Sequence, residues 1–255
     1  MARRPPPSRQ AQAASALAPR EDRSGGPRET GPHPALRLEP QLATGADALG
    51  VSLSTVQVQQ LLHYLELLLK WNRVYNLTAV RGAQEALHHH LLDSLAILPS
   101  LVRHLDGRPA RILDVGSGGG LPGVVIAIAR PDWHVDCVDA VAKKAAFVQQ
   151  AAAELGLARL RGIHSRIEQL PRANADVVTS RAFASLPDFT RWTAAHLNDS
   201  GVWMAMKGKE PKDEIRALPP TVDVFHVEHL QVPGLDAERC LVWMRPTGRN
   251  TPPLA

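Results

Sequence analysis

Cysteine, long apolar runs and a secretory leader are scarce or missing in this sequence. Two cysteines in 255 residues, Cys137 and Cys240, are too few to cross-link a chain of this size, which is typical of the reducing cytoplasm. The longest nearly uninterrupted apolar run, Leu121 to Ala129, falls far short of the roughly 18 residues that a membrane-spanning helix needs. The first arginines have no apolar segment behind them, so no secretory signal is expected. These absences predict a cytoplasmic protein with no membrane partner.

Excess charge is also small once the amino terminus is set aside. The formal net charge is +4, and residues 1–46, with seven arginines and four acidic residues, carry +3 of it. The rest of the chain is nearly neutral, so basicity alone does not indicate a nucleic-acid-binding domain. The same 46 residues hold eight of the 21 prolines and no periodic apolar pattern. They are predicted to be a disordered extension, because they cannot bury enough apolar surface to offset the entropy of ordering.

Apolar residues at helical spacing begin near Leu53. Ser54 and Gln57 have the spacing of a capping box, and the leucine stripe that follows predicts a helix with one buried face. A second helix is predicted from about Gln84 to Leu98, with Pro99 beyond its end. Residues 47–108 are therefore predicted to form a helical layer against the main domain.

From Arg111 onward, short apolar runs alternate with helical stretches, which is typical of a parallel sheet with crossover helices. The last two strands have no helix between them, so they are expected to pair antiparallel. Residues 109–255 are predicted to be a Rossmann-like α/β domain with a seven-stranded sheet. The predicted strands are 112–115, 134–138, 161–164, 176–179, 202–206, 222–232 and 240–245.

A glycine-rich segment, Asp114 to Gly123, lies directly between the first predicted strand and a helix whose first turn carries Pro122. Glycines let a ligand approach the backbone, and a helix start offers free N–H groups to an anion, so a nucleotide-like ligand is expected. Two fingerprints overlap here. Three of the glycines match the dinucleotide pattern, with Asp139 where a ribose-binding acid would lie, but the segment equally matches the S-adenosylmethionine-dependent methyltransferase turn.

Three features favour S-adenosylmethionine over a nicotinamide cofactor. The only tyrosines, Tyr64 and Tyr75, precede the glycine loop, where a short-chain dehydrogenase would need one beyond it. Sheets of class I methyltransferases usually end in an antiparallel pair. Asp139 closes its strand as a single acid that can accept two hydrogen bonds from a ribose. An NAD-dependent oxidoreductase and a non-catalytic binding module of methyltransferase fold are the alternatives.

Basic side chains follow the predicted strands, and the carboxyl ends of parallel strands meet at one edge of the sheet. This rim is predicted to position a polyanionic substrate through its phosphates. The sequence lacks a segment of the kind that holds an exocyclic amine, and neither cysteine follows a proline. Both absences favour methylation of a ring nitrogen, which needs no general base. The rim residues are Lys143, Lys144, Arg166, Arg181, Lys207, Lys209 and Lys212.

The sequence resembles the RsmG (GidB) family of ribosomal RNA small-subunit methyltransferases over about 180 residues. The resemblance implies methylation of N7 of a single guanosine in the 530 loop, position 527, of 16S rRNA, with S-adenosylmethionine as the methyl donor and no metal. It also implies 16S rRNA or an assembling small subunit as the partner, and a monomer is favoured. The matching segments are Lys70 to Thr78, His90 to Ser94, Asp114 to Gly123, Ser165 to Glu168, Ser180 to Ala184, and Lys207 with Gly208.

The resemblance also assigns site residues by position. Asp139 is the expected ribose acid, and Asp114 is expected to orient the loop or the methionine amine. His90, Arg181 and Lys207 are the candidates for gripping the RNA. Phe183 is weighed as a base-stacking residue against a buried aromatic, with burial favoured. The implied cofactor contacts are Gly116, Leu121, Asp139, Ile167, Glu168 and Arg181.

Overall fold

The computed structural model describes residues 36–181 and 184–248. Phe183 and the first 35 residues of the predicted extension lie outside these ranges. The predicted boundary of the extension at residue 46, and the predicted onset of order near Leu53, are wrong. A 3₁₀ turn at Leu36–Leu38 leads into helix α1, Glu39–Ala48.

Helix α1 forms because its neighbours cover it. Its buried residues, Leu42, Gly45 and Ala46, share one face, and Gly45 lies so close to Leu92 that a side chain there would collide with it. Local sequence gives little sign of this helix, because two apolar residues at i and i+4 in a stretch with proline and glycine make a weak pattern. Tertiary packing therefore decides the segment.

The helical layer continues with α2, Thr55–Tyr75, whose predicted capping box between Ser54 and Gln57 is confirmed. The second predicted helix, α3, has an α-helical start at Ala83–Ala86, a π-helical middle at Leu87–Leu92 and an α-helical end at Asp93–Leu95. Pro99 does not follow the layer. It lies in the first turn of α4, Leu98–His104, where a missing N–H costs nothing.

The sheet has seven strands in the order β3-β2-β1-β4-β5-β7-β6. β1 to β5 are parallel, while β7 is antiparallel to both β5 and β6, which confirms the predicted class I methyltransferase fold. β5 begins five residues earlier than predicted, since the polar residues 198–200 interrupt the apolar pattern from which its start was predicted. The strands are β1 Arg111–Val115, β2 His134–Asp139, β3 Leu160–His164, β4 Ala175–Arg181, β5 Leu197–Lys207, β6 Val222–Leu230 and β7 Arg239–Pro246.

Four helices and two 3₁₀ turns complete the two faces of the sheet. Pro122 caps α5 from the preceding position, so the prediction that it lies inside the first turn is wrong by one residue. The helices are α5 Gly123–Ala129, α6 Ala142–Glu154, α7 Leu186–Thr193 and α8 Lys212–Arg216, and the 3₁₀ turns are Ile167–Gln169 and Ala194–His196.

The helical layer and one face of the sheet share a single hydrophobic cluster. Trp71 of α2 packs edge-on against Phe147 of α6, with ring centroids 5.4 Å apart. Gln57 of the capping box also donates to the carbonyl oxygens of Ile128 and Ala129 at 3.0 Å each. Its side chain therefore bonds both the start of α2, where it accepts from Ser54 N, and the end of α5. The layer is thereby fixed against the helices that flank the glycine loop. Within the described ranges, no helix is both long and apolar enough to cross a membrane.

Candidate active site

The glycine loop turns sharply out of β1 at the carboxyl edge of the sheet. Gly118 has a φ of +58°, a conformation that favours glycine, and the space beside it is open. Gly123 is required for a different reason. A side chain there would press against Cys137 Sγ and come within 2.9 Å of Asp114 Oδ2. Gly118 therefore keeps the loop accessible, whereas Gly123 lets α5 begin directly against β1 and β2.

The loop is held from below by the helical layer and by β2. Tyr64 of α2 is fully buried and donates its hydroxyl to the Gly119 carbonyl oxygen at 2.6 Å. Burial raises the pKa of the Tyr64 hydroxyl well above its ordinary value, so it stays a donor. Gly116 N donates to the Val138 carbonyl oxygen at 2.8 Å. Sequence reasoning missed this role of Tyr64, whose position in the helical stripe indicates only burial.

Asp114 lies beneath the loop and is fully buried. Its Oδ2 accepts from Gly123 N at 2.9 Å, which supports the expectation that Asp114 orients the loop. Its Oδ1 has no hydrogen-bond partner among the described residues. Burial raises the pKa of Asp114 to about 7, with the Gly123 N–H working in the opposite direction. A carboxyl of this kind changes its charge near neutral pH.

Four of the six predicted cofactor contacts line one cavity, which we call the β1–β3 cavity because the segments after β1, β2 and β3 enclose it. Its volume is about 470 Å³. Leu121 is not among its walls, since that side chain is buried beneath the loop, and Arg181 lines a different cavity. Trp192 of α7 adds a wall that sequence reasoning missed. The predicted residues brought together are Gly116, Asp139, Ile167 and Glu168.

Asp139 closes β2 at the edge of this cavity. Its Oδ2 accepts from Gly118 N at 3.0 Å and its Oδ1 accepts from Val141 N at 2.8 Å, while Lys144 Nζ lies 3.8 Å from Oδ2. An ionised carboxylate has about four lone-pair sites, so each oxygen can accept again. Asp139 therefore fixes the glycine loop and can still receive hydroxyl donors from the cavity.

A second cavity of about 440 Å³ lies at the ends of β4 and β5, and we call it the β4–β5 cavity. It brings together all three candidates for gripping RNA: His90, Arg181 and Lys207. Each of the three side chains already has a partner within the protein. The helical layer, β4, β5 and β7 all contribute walls, so this cavity is assembled from segments far apart in the chain.

Asp93 holds two arginines at this second cavity. Arg239 Nε donates to Asp93 Oδ1 at 2.7 Å, and Arg181 Nη1 donates to Asp93 Oδ2 at 3.2 Å and to the His89 carbonyl oxygen at 2.9 Å. The Asp93 side chain is only 4% exposed. Sequence reasoning placed Asp93 near the site but missed Arg239, which carries no local motif. This ion-pair cluster joins α3, β4 and β7.

Lys207 and His90 are also engaged inside the protein. Lys207 Nζ lies 2.8 Å from Glu214 Oε2 and donates to the Ala184 carbonyl oxygen at 3.1 Å, which ties β5 to α8. His90 lies 2.9 Å from the His89 carbonyl oxygen through Nδ1, so Nδ1 donates, and Nε2 accepts from Thr78 Oγ1 at 2.7 Å. Burial lowers the pKa of His90 to about 4, so the ring is neutral at pH 7.

Comparison with known proteins places the chain in a family. Residues 57–242 match the family model described as "GidB: rRNA small subunit methyltransferase G". The chain is 60% identical over 220 residues to a Ribosomal RNA small subunit methyltransferase G from Paracidovorax citrulli, covering 82% of this chain and 90% of that protein. It is 62% identical over 217 residues to the protein of the same name from Acidovorax sp. (strain JS42), covering 82% and 96%.

Among solved structures, the chain is similar to TrmN from Thermus thermophilus at 22% identity and a TM-score of 0.49, covering 63% of this chain and 53% of that chain. The family match spans most of the chain and includes both cavities and the glycine loop. The chain belongs to the rRNA small subunit methyltransferase G family.

Proposed function

We propose that this protein transfers the methyl group of S-adenosylmethionine to N7 of one guanosine in the 530 loop, position 527, of 16S rRNA. The observation that carries the proposal is a pair of cavities at the carboxyl edge of the sheet in a chain of this family. The β1–β3 cavity is lined by Gly116 of the glycine loop, and the β4–β5 cavity lies on the other side of β1, where the strand order reverses. Open α/β sheets bind their ligands at such a switch point.

The residues of the β1–β3 cavity suit S-adenosylmethionine. The volume of about 470 Å³ falls within the roughly 300–1,000 Å³ that small-molecule sites span. Asp139 has remaining acceptor capacity for a ribose, and Ile167 and Trp192 supply apolar surface for a base. The buried Asp114 adds negative charge beneath the loop on ionisation. When bound, this cofactor supplies a methyl group on a positively charged sulfur.

The β4–β5 cavity suits an acceptor that needs positioning rather than deprotonation. Guanine N7 carries a free lone pair, so alignment with the methyl group is the main requirement. Neutral His90 has both ring nitrogens bonded within the protein, and Lys207 is paired with Glu214. His90 and Lys207 therefore hold the cavity walls, and the proposed reaction assigns neither of them the role of a base. Arg181 and Arg239, fixed by Asp93, present guanidinium groups at the same walls.

The proposal also places the protein in the cytoplasm as a monomer that acts on naked 16S rRNA or on an assembling small subunit. One chain supplies both cavities, which supports a monomer as the working unit.

Mass spectrometry of 16S rRNA from cells with and without the gene tests the reaction. Loss of N7-methylguanosine from the 530 loop, restored by the wild-type gene, is the expected result, and its persistence contradicts the proposal. Calorimetry with S-adenosylhomocysteine and with NAD tests the cofactor separately. Binding of the first and not the second is expected.

A further inference from the structure

The cations that line the β4–β5 cavity and those on the nearby surface of the helical layer differ in their ion pairs. In the β4–β5 cavity, Arg181 and Arg239 are paired with Asp93, and Lys207 with Glu214. On the adjacent surface of the helical layer, three exposed cations lie without an ion pair to any described residue. They line a groove of about 830 Å³, which we call the basic groove; the cations are Lys70, Arg73 and Arg81.

Acidic residues also line the basic groove, but both are engaged. Glu154 Oε2 lies 3.7 Å from His63 Nε2, and Glu66 is half-buried and makes an interaction of its own. Neither acid forms an ion pair with any of the three cations among the described residues. Guanidinium and ammonium groups are the side chains that bind the phosphates of a nucleic-acid backbone, so three of them in one open groove favour such a ligand.

The basic groove and the β4–β5 cavity share one wall, the loop formed by residues 76–82. Thr78 and Val80 face the β4–β5 cavity, whereas Arg81 lines the basic groove. Val80 and Arg81 are neighbours in the chain, with Cα atoms about 3.8 Å apart, so the two cavities approach each other at this loop.

This wall is rigidly tied. Asn72, which is 4% exposed, accepts from Thr78 N through Oδ1 at 2.8 Å and donates from Nδ2 to the Val80 carbonyl oxygen at 2.9 Å. Thr78 Oγ1 in turn donates to His90 Nε2 at 2.7 Å. The spacing between the groove and the β4–β5 cavity is thus fixed before any ligand binds.

We propose that the basic groove binds the phosphodiester backbone that flanks the target guanosine, with phosphates on Lys70, Arg73 and Arg81 while the base enters the β4–β5 cavity. This inference rests on the proposed function. The cations of the groove need not break a protein ion pair to receive a phosphate, unlike those at the strand ends. Backbone contacts of this kind set position and affinity, while the base cavity selects the nucleotide.

The double variant Arg73→Gln with Arg81→Gln tests the groove. The matched control is Arg108→Gln with Arg111→Gln, which removes the same charge from exposed positions at the amino end of β1, on the opposite edge of the sheet. The measurement is kcat and KM across a salt series, with 16S rRNA in whichever form the wild type methylates. Calorimetry with S-adenosylhomocysteine and a thermal melt accompany each variant.

The groove variant is expected to raise KM about tenfold or more at low salt, with kcat within twofold and S-adenosylhomocysteine affinity unchanged. Each phosphate contact contributes about 0.7 to the slope of log affinity against log salt for a single strand, so the salt slope of kcat/KM should fall by roughly 1.4. The control variant should match the wild type. Arg73→Lys with Arg81→Lys keeps both positive charges, so its KM should stay close to that of the wild type. This variant separates the effect of charge from an effect on folding.

A groove variant with wild-type KM and salt slope would overturn the inference, and so would an equal loss in the control. Failure of the proposed function looks different. In that case the wild type itself does not methylate 16S rRNA, and the inference falls with it.

Discussion

The two cavities at the carboxyl edge of the sheet are built in opposite ways. In the β1–β3 cavity, Asp139 accepts hydrogen bonds from the backbone of the glycine loop and of the segment after β2, and it can still accept more. The β4–β5 cavity is formed by side chains that already satisfy one another, with Asp93 between Arg181 and Arg239. The first cavity keeps acceptor capacity for the ribose of the proposed cofactor. The second is a frame of paired side chains, in which the proposal places the acceptor base.

The largest expected effect is that of Asp139→Ala, which should lower ligand binding in the β1–β3 cavity and leave the β4–β5 cavity unchanged. The variant loses the acceptor of Gly118 N and the expected ribose contacts, and each hydrogen bond to a charged group contributes about 1.5–3 kcal/mol. S-adenosylhomocysteine affinity should therefore fall more than about 100-fold, to the point where calorimetry detects no binding. Unchanged affinity would show that Asp139 serves the loop only.

Asp114→Asn should change how the stability of the protein depends on pH, through the buried carboxyl beneath the glycine loop. The folded-state pKa of about 7 lies above the ordinary value of 3.8, so folding favours the protonated form. The stability that this protonated carboxyl contributes is complete below about pH 4 and is lost as pH rises through 7. Urea denaturation between pH 4 and 8 measures the free energy of unfolding of both proteins. The value for Asp114→Asn relative to the wild type should rise by up to about 1.4 kcal/mol per pH unit and level off above pH 7. A constant difference would place the carboxylate in its ionised form throughout.

Asp93→Ala should disrupt the β4–β5 cavity. Removing the shared acid leaves two partly buried arginines without their partner, which costs about 3 kcal/mol of unfolding free energy. Methylation of rRNA should fall further than S-adenosylhomocysteine affinity. The matched control is Asp213→Ala, whose ion pair with Arg216 is exposed and should contribute nothing measurable. Equal denaturation midpoints for the two variants would contradict the role assigned to Asp93.

Lys207→Ala should have the smallest effect. It removes the tie between β5 and Glu214 of α8, so rRNA methylation should fall by about tenfold while S-adenosylhomocysteine affinity stays nearly intact. Lys212→Ala is the control, because Lys212 is exposed at the start of α8 and has no ion pair among the described residues. If both variants lower methylation equally, the effect belongs to surface charge and not to the β5 to α8 tie.

The glycine loop and its neighbours were predictable because they are local. Asp114, Gly116 and Asp139 lie within 26 residues of one another, and their spacing follows directly from one strand-turn-helix unit and the next strand. The frame of the β4–β5 cavity was not predictable in the same way. Asp93 and Arg239 are 146 residues apart, and no motif marks the arginine, so their contact exists only because β7 pairs with β5.

Charge shows the same division. The positive residues after the strands predicted a rim free to bind RNA, but whether a cation is free depends on which acid folds against it. Glu214 neutralises Lys207, whereas Arg73 and Arg81 meet no acid within ion-pair distance among the described residues. Sequence alone lists the charges without their partners.

The sequence by itself determined the seven strands, the parallel sheet with its antiparallel end, and the loop at the end of β1, because each depends on spacing within a short stretch of chain. Only the tertiary structure decided that residues from Leu36 onward form part of the fold, that Tyr64 supports the glycine loop, and that Arg181 and Lys207 are held in ion pairs. Those outcomes depend on burial and on distant partners, which no local pattern encodes.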